Sequence, residues 1–186
     1  MKLIIKMLAL LAVLASPVAS AVEYRTVLPA KSTIGFEFRQ MGVPIKGGFK
    51  RFATQMVFDP AKPEAGRAQI EIDLASIDAG SSEADEGSAG RLWFNRSVYP
   101  RAQFVSSQIR ALGNNRYEMR GTLTLKGRSR NMTVPVIYTP GKNVATFDGS
   151  FVLKRLDFGI GEGMWADVAT VANEVKVQFR IAATGN

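Results

Sequence analysis

The feature that most constrains this chain is an alternation of apolar and polar residues with period two. Ile34, Phe36 and Phe38 alternate with Thr33, Gly35, Glu37 and Arg39. Phe52, Thr54, Met56 and Phe58 share one face of the next run, and Ile70, Ile72 and Leu74 alternate with Gln69, Glu71 and Asp73. The pattern returns at Tyr117, Met119, Gly121, Leu123 and Leu125, at Met132 to Tyr138, at Phe147 to Leu153, and at Val175 to Ile181. Such runs predict antiparallel strands with one dry face and one wet face. Gly113-Asn114-Asn115 and Lys126-Gly127 leave room only for hairpins, while Asp59-Pro60 and Pro140-Gly141-Lys142-Asn143 mark longer turns. The reading is about eight strands. With no second layer of helices to cover them, their apolar faces must close on themselves as a barrel or pair as two sheets.

One segment departs from the period. Ser81 to Phe94 reads SSEADEGSAGRLWF, with a Ser cap and acids in the first turn. It predicts one short helix, anchored by Leu92, Trp93 and Phe94, that plugs one end of a barrel. The Gly-rich stretch Asp157 to Gly163 lacks the Gly-Lys-Ser/Thr ending of a phosphate loop. It reads as a bend or bulge between strands.

Residues 1–21 carry Lys2 and Lys6, then an unbroken apolar run from Met7 to Ala15, then Ala19-Ser20-Ala21. That order is the pattern of a secretory signal peptide, with cleavage expected near Ala21 and a folded domain over residues 22–186. The apolar run is too short to span a bilayer. A membrane barrel is a poor fit, because turning the apolar face to lipid would place Glu37, Arg39, Glu71, Asp73, Glu118, Arg120, Lys176 and Arg180 in a small lumen.

The chain has no cysteine and no histidine. This excludes disulfides, thiol nucleophiles, Cys/His zinc sites and every Ser–His–Asp arrangement. Any metal would need an all-oxygen site, and proton transfer would fall to carboxylates, Lys or Tyr, with Tyr117 and Tyr138 the only inward-facing candidates. The net charge is +8. Its basic clusters, Lys46-Lys50-Arg51 and Lys126-Arg128-Arg130, suit a phosphate headgroup or an anionic surface. Nucleic acid is not expected, because the aromatics sit on the apolar face and are not interleaved with the basic residues. The apolar face includes Phe36, Phe38, Met56, Ile72, Met119, Leu123, Phe147, Phe151 and Phe179, with Gly121 and Gly149 among them. An eight-stranded barrel is wide enough either to be filled by such side chains or to hold one small ligand. Spacing does not choose between the two.

Seven pieces in order add a resemblance: Tyr24 to Phe38, Lys46 to Phe49, Phe58-Asp59-Pro60, Ile70 to Ile77, Tyr99-Pro100 with Gln103 to Ser107, Gly121 to Gly127, and Arg155 to Ile160. With these the chain resembles the YceI-like family of periplasmic proteins, roughly from Tyr24 to Ala183. The resemblance implies an all-β, lipocalin-like antiparallel barrel that encloses a long isoprenoid, a polyprenyl chain or a quinone tail, as bound ligand. It implies a periplasmic binding or carrier protein that is not an enzyme and needs no cofactor or metal, with transient membrane contact and a homodimer as further expectations. The expected ligand-binding residues are then Phe36, Phe38, Met56, Ile72, Met119, Leu123, Phe147, Phe151 and Phe179, with Lys126 or Arg128 meeting a phosphate at the mouth. The alternative is a filled barrel acting as an adaptor or inhibitor through its basic surface. The chain differs from the family in having Phe94-Asn95 where a Phe-Asp pair is common, and in lacking histidine.

Overall fold

The computed structural model describes residues 22–185. The predicted signal segment and its cleavage site lie outside the described residues. Eleven antiparallel strands form a single curled sheet: β1 (Tyr24–Val27), β2 (Thr33–Gln40), β3 (Val43–Phe49), β4 (Phe52–Val57), β5 (Arg67–Asp73), β6 (Ile77–Asp78), β7 (Arg101–Gly113), β8 (Arg116–Leu125), β9 (Arg128–Thr139), β10 (Ala145–Lys154) and β11 (Glu174–Gly185). One helix, α1 (Ser82–Ser88), lies between β6 and β7.

Eleven strands make eight staves, because three staves are each split in two. The turn Pro29–Lys31 divides β1 from β2, and both parts pair with β11. Lys50 and Arg51 divide β3 from β4. The turn Leu74–Ser76 divides β5 from β6, so β4 pairs with β5 while β3 pairs with β6. The barrel closes through Tyr24 and Phe58, which exchange backbone hydrogen bonds of 2.8 and 3.1 Å. Closure leaves no long open edge, the usual route to aggregation of a large sheet.

The alternation resolves as read: the apolar face points inward and the charged face outward. Arg120 pairs with Glu118, Arg180 with Asp148 and Arg101 with Glu71 on the outer surface. A charged exterior of this kind does not suit a lipid-facing wall. The hairpin turns sit where the sequence places them. Asn114 and Asn115 (φ 51° and 57°), and Lys126 and Gly127 (φ 49° and 72°), adopt the left-handed conformations that two-residue hairpins require. Gly121 and Gly149 do not leave space in the interior. The Phe104 ring lies over Gly121 and the Phe179 ring over Gly149, where any Cβ would collide with it.

The interior has two unlike halves. In the closed half, Tyr24, Phe58, Tyr117, Tyr138 and Phe147 form an aromatic cluster with centroid separations of 5.1–6.3 Å, several of them edge to face. Such pairs contribute about 0.5–1.5 kcal/mol each beyond their area burial. The hydroxyls of Tyr24 and Tyr138 hydrogen-bond each other at 2.8 Å, which satisfies two polar groups in an apolar setting. The other half is hollow.

Candidate apolar ligand cavity

The hollow half contains a cavity of about 330 Å³. Its walls come from inward positions of the strands: Phe36 and Phe38 of β2, Ile72 of β5, Leu123 and Leu125 of β8, Phe151 and Leu153 of β10, and Val175 and Val177 of β11. Two segments roof it. One is α1 with Trp93 and Phe94 behind it; the other is the connection from Arg155 to Asn173, which contributes Ile160, Trp165 and Val171.

The first roof segment is built locally as its sequence suggests. Ser81 caps α1, its Oγ accepting from the Ala84 N–H at 3.2 Å. The Asp85 carboxylate accepts from the Ala79 N–H at 2.6 Å. A seven-residue helix is marginal alone and needs tertiary support. Arg96 supplies some of it, donating to the Leu74 and Asp85 carbonyls at 3.2 and 3.1 Å, and so ties the helix to the barrel wall.

The second roof segment is held by Arg155. This guanidinium is 2 % exposed and has no carboxylate partner among the described residues. All five of its N–H groups donate to backbone carbonyls. Nε bonds Ala172; Nη1 bonds Ile160 and Gly161; Nη2 bonds Trp165 and Val171, all at 2.7–3.1 Å. Burial pulls its pKa down from the ordinary arginine value, yet the side chain stays charged. The Trp93 ring lies 6.0 Å away and adds a cation–π contact. Gly161 (φ 72°) is required here, because a Cβ would meet the Arg155 guanidinium. The stretch from Asp157 to Gly163 is therefore not a simple bend or bulge. It is the start of a long folded loop wound around a buried cation.

Lys126 and Arg128 belong to this roof, where their charges meet a carboxylate. Both pair with the Glu162 carboxylate, at 3.1 and 2.9 Å, and Lys126 also donates to the Gly159 carbonyl. Lys126, foremost, holds the Glu162 carboxyl below the usual carboxylate range. The other basic cluster is also largely paired, Lys50 with Asp78 and Arg51 with Asp73. Lys46 and Arg130 have no carboxylate partner among the described residues, so the two clusters keep a net positive charge.

The nine expected ligand residues separate into groups. Phe36, Phe38, Ile72, Leu123 and Phe151 line the cavity. Met119 and Phe179 sit deeper, beside two small voids of about 60 and 50 Å³ that continue the cavity down the barrel axis. Met56 and Phe147 lie at the closed half, against the deeper void. Alternation assigns all nine to one face but does not give their depth along the barrel. Tyr117 and Tyr138 are also in the closed half, away from the cavity, and burial raises the pKa of both hydroxyls. Tyr117 borders the deeper void, and neither tyrosine lines the main cavity.

Sequence reading missed Trp165, Arg155, Val171, Gln40 and Glu83 as parts of this site. The signal for the first was a lone aromatic residue in the stretch Gly161 to Thr170. Trp165 lies 5.6 Å from Trp93, centroid to centroid, so both tryptophans of the chain report on the cavity.

A closed barrel with an apolar cavity under a two-part roof defines the class: a lipocalin-like antiparallel β-barrel. Comparison with known proteins gives the family. Residues 26–183 match the model of the YceI-like domain, and the chain belongs to that family. A UPF0312 protein of Photorhabdus laumondii is 31% identical over 152 residues, which cover 75% of this chain and 77% of that protein. The crystal structure of Burkholderia cenocepacia BcnA superposes with a TM-score of 0.83 at 44% identity, covering 85% of this chain and 99% of that one. A polyisoprenoid binding domain from Saccharophagus degradans shares the fold with a TM-score of 0.66 at 16% identity, covering 89% and 99%.

Proposed function

We propose that this protein is an exported, periplasmic carrier that holds an isoprenoid lipid in its barrel, and that it is not an enzyme. The observation that carries the reading is the apolar cavity beneath the roof, walled by Phe36, Phe38, Ile72, Leu123, Phe151, Val175 and Val177. The polyisoprenoid-binding description of the Saccharophagus domain with the same fold supports the ligand class.

Transfer energetics supply the mechanism. Each buried CH₂-sized group recovers about 0.8 kcal/mol, so a few isoprene units give a gross gain above roughly 10 kcal/mol. Ordering the chain and closing the site offset much of that gain. The cavity sits near the lower end of the ~300–1,000 Å³ range of small-molecule sites. A long tail therefore starts in the cavity and advances down the axis only as Met119 and Phe179 change rotamer into the small voids beyond. The cavity end of the barrel is suited to meeting a lipid surface. Met41, at the β2–β3 turn, is 77% exposed and adopts a left-handed φ of 50°, and Met164, beside cavity-lining Trp165, is 78% exposed.

The test is mass spectrometry of the organic extract of the full chain, purified from the periplasm without detergent. A stoichiometric polyprenyl or quinone species supports the reading and names the cargo. A clean extract that stays clean after incubation with added isoprenoid quinone refutes it and moves the search to the outer surface.

A further inference from the structure

The cavity also carries information about the polar end of its ligand. Its mouth lies where the lining residues are exposed: Gln40 at the end of β2 on one side, and Glu83, Ala84 and Gly87 of α1 on the other. At Gly87 an added Cβ would meet nothing within 4 Å. The opposite end of the barrel is stopped by the aromatic cluster. A lipid that enters tail first therefore leaves its head between Gln40 and Glu83.

We propose that this cavity selects isoprenoids with an uncharged head, an alcohol or a quinone, over those that end in a phosphate or diphosphate. The inference rests on the lipid-carrier reading above. Two charged residues line the cavity, Arg155 and Glu83. Arg155 has no donor to offer, because each of its five N–H groups already serves a roof carbonyl. A phosphate that recruited it would have to unmake the roof. Glu83 is an anion at the entrance. Its carboxyl is held below the ordinary range by hydrogen bonds from its own backbone N–H and from Ser81 and Ser82, so it stays ionised at neutral pH.

Several cations of the mouth and roof are engaged elsewhere, and Arg39, beside Gln40, donates to the Gly42 carbonyl at 2.9 Å. Lys50 pairs with Asp78, Lys126 and Arg128 pair with Glu162, and Arg96 bonds two carbonyls. The Ala84 N–H of the first helical turn is taken by the Ser81 Oγ. A phosphate at this mouth would give up water, face a carboxylate and find no uncommitted cation among the residues that line the cavity. A hydroxyl or quinone carbonyl needs only one or two neutral hydrogen bonds, which the Gln40 amide and mouth water supply.

The experiment titrates the full chain with farnesol and with farnesyl diphosphate, which share one tail, and follows the fluorescence of Trp93 and Trp165. The alcohol is expected to bind about tenfold or more tightly than the diphosphate, given like charges meeting at a partly solvated mouth. Glu83→Lys, at an exposed position, is expected to move that ratio towards the diphosphate. Equal or tighter binding of the diphosphate by the unaltered chain overturns the selection and leaves the lipid-carrier reading standing. A preference for the alcohol that Glu83→Lys does not alter overturns the role assigned to the mouth charge. Binding of neither probe overturns both this inference and the carrier reading.

Discussion

Replacing Arg155 by Met tests the account of the roof. Methionine keeps much of the aliphatic stem and packing volume but removes all five donors. The carbonyls of Ile160, Gly161, Trp165, Val171 and Ala172 then lose their partner together. Each hydrogen bond to a charged group contributes about 1.5–3 kcal/mol net, but the five share one side chain and one loop, so their effects do not add. Loss of one member of a buried charged network typically costs about 3–5 kcal/mol, and we expect that range here. For a domain of this size each kcal/mol shifts Tm by about 2–4 °C, so a fall of roughly 6–20 °C is expected. Thermal unfolding followed by far-UV circular dichroism measures it. Hydrogen exchange should show the loss of protection concentrated between Leu156 and Asn173, with the amides of β7 to β9 spared. A Tm shift under 2 °C would refute the reasoning, because the roof would then not depend on its buried cation. Protection lost evenly over the barrel would refute it differently, by making Arg155 a general core residue.

Three further outcomes follow from the same geometry. Phe151 faces the cavity and Phe147 belongs to the closed aromatic cluster, so Phe151→Asp should abolish lipid uptake in a barrel that still folds, while Phe147→Asp should fail to fold; circular dichroism with a quinone-uptake assay separates the two, and equal behaviour would contradict the two-halves description. The Glu162 carboxyl is held below its unfolded value, so its ion pairs add stability that is present above the usual carboxylate range and lost as pH falls through the depressed pKa; Glu162→Gln should lower the urea midpoint at pH 7 and match the parent in strong acid, and a gap that persists in acid would refute the electrostatic origin. Thr54 Oγ1 is the one buried side-chain polar atom without a hydrogen-bond partner among the described residues, and Thr54 borders the deepest void. Thr54→Val should therefore stabilise the protein by about 1 kcal/mol, since an unpaired buried hydroxyl is replaced by a methyl of similar size; a lower urea midpoint in the variant would contradict this.

The strands were legible wherever a whole run obeyed period two, as in β2, β8 and β11. They were hidden where geometry interrupts it. In β7 the inward residues are Ala102 and Phe104 and then Ile109, because a register shift between Ser106 and Gln108 moves the apolar face from even to odd positions. In β3 the run Lys46-Gly47-Gly48 lacks apolar contrast altogether. The expectation of about eight strands matches the staves and not the eleven strands, because kinks such as Lys50-Arg51 leave no distinct mark in a residue pattern. The candidate site followed the same division. The inward face was readable, which is why Phe36, Phe38, Ile72, Leu123 and Phe151 were found, and why Met56 and Phe147 were grouped with them despite lying at the other end.

The sequence by itself determined the sheet, its inward and outward faces, the hairpin turns, the Ser-capped helix and the absence of thiol and imidazole chemistry. Those properties are local: they depend on side-chain alternation, on a few left-handed turn positions and on which residue types are present. The tertiary structure alone decided which half of the barrel is filled and which is hollow, and what covers the hollow half. That decision depends on depth along the barrel axis and on contacts between residues distant in sequence. Tyr24 meets Tyr138 and Phe147, Leu92 receives the amides of Gly161 and Glu162, and Arg155 gathers carbonyls from Ile160 to Ala172. A period-two pattern carries one bit per residue, in or out, and a cavity needs the third coordinate that only the closed sheet supplies.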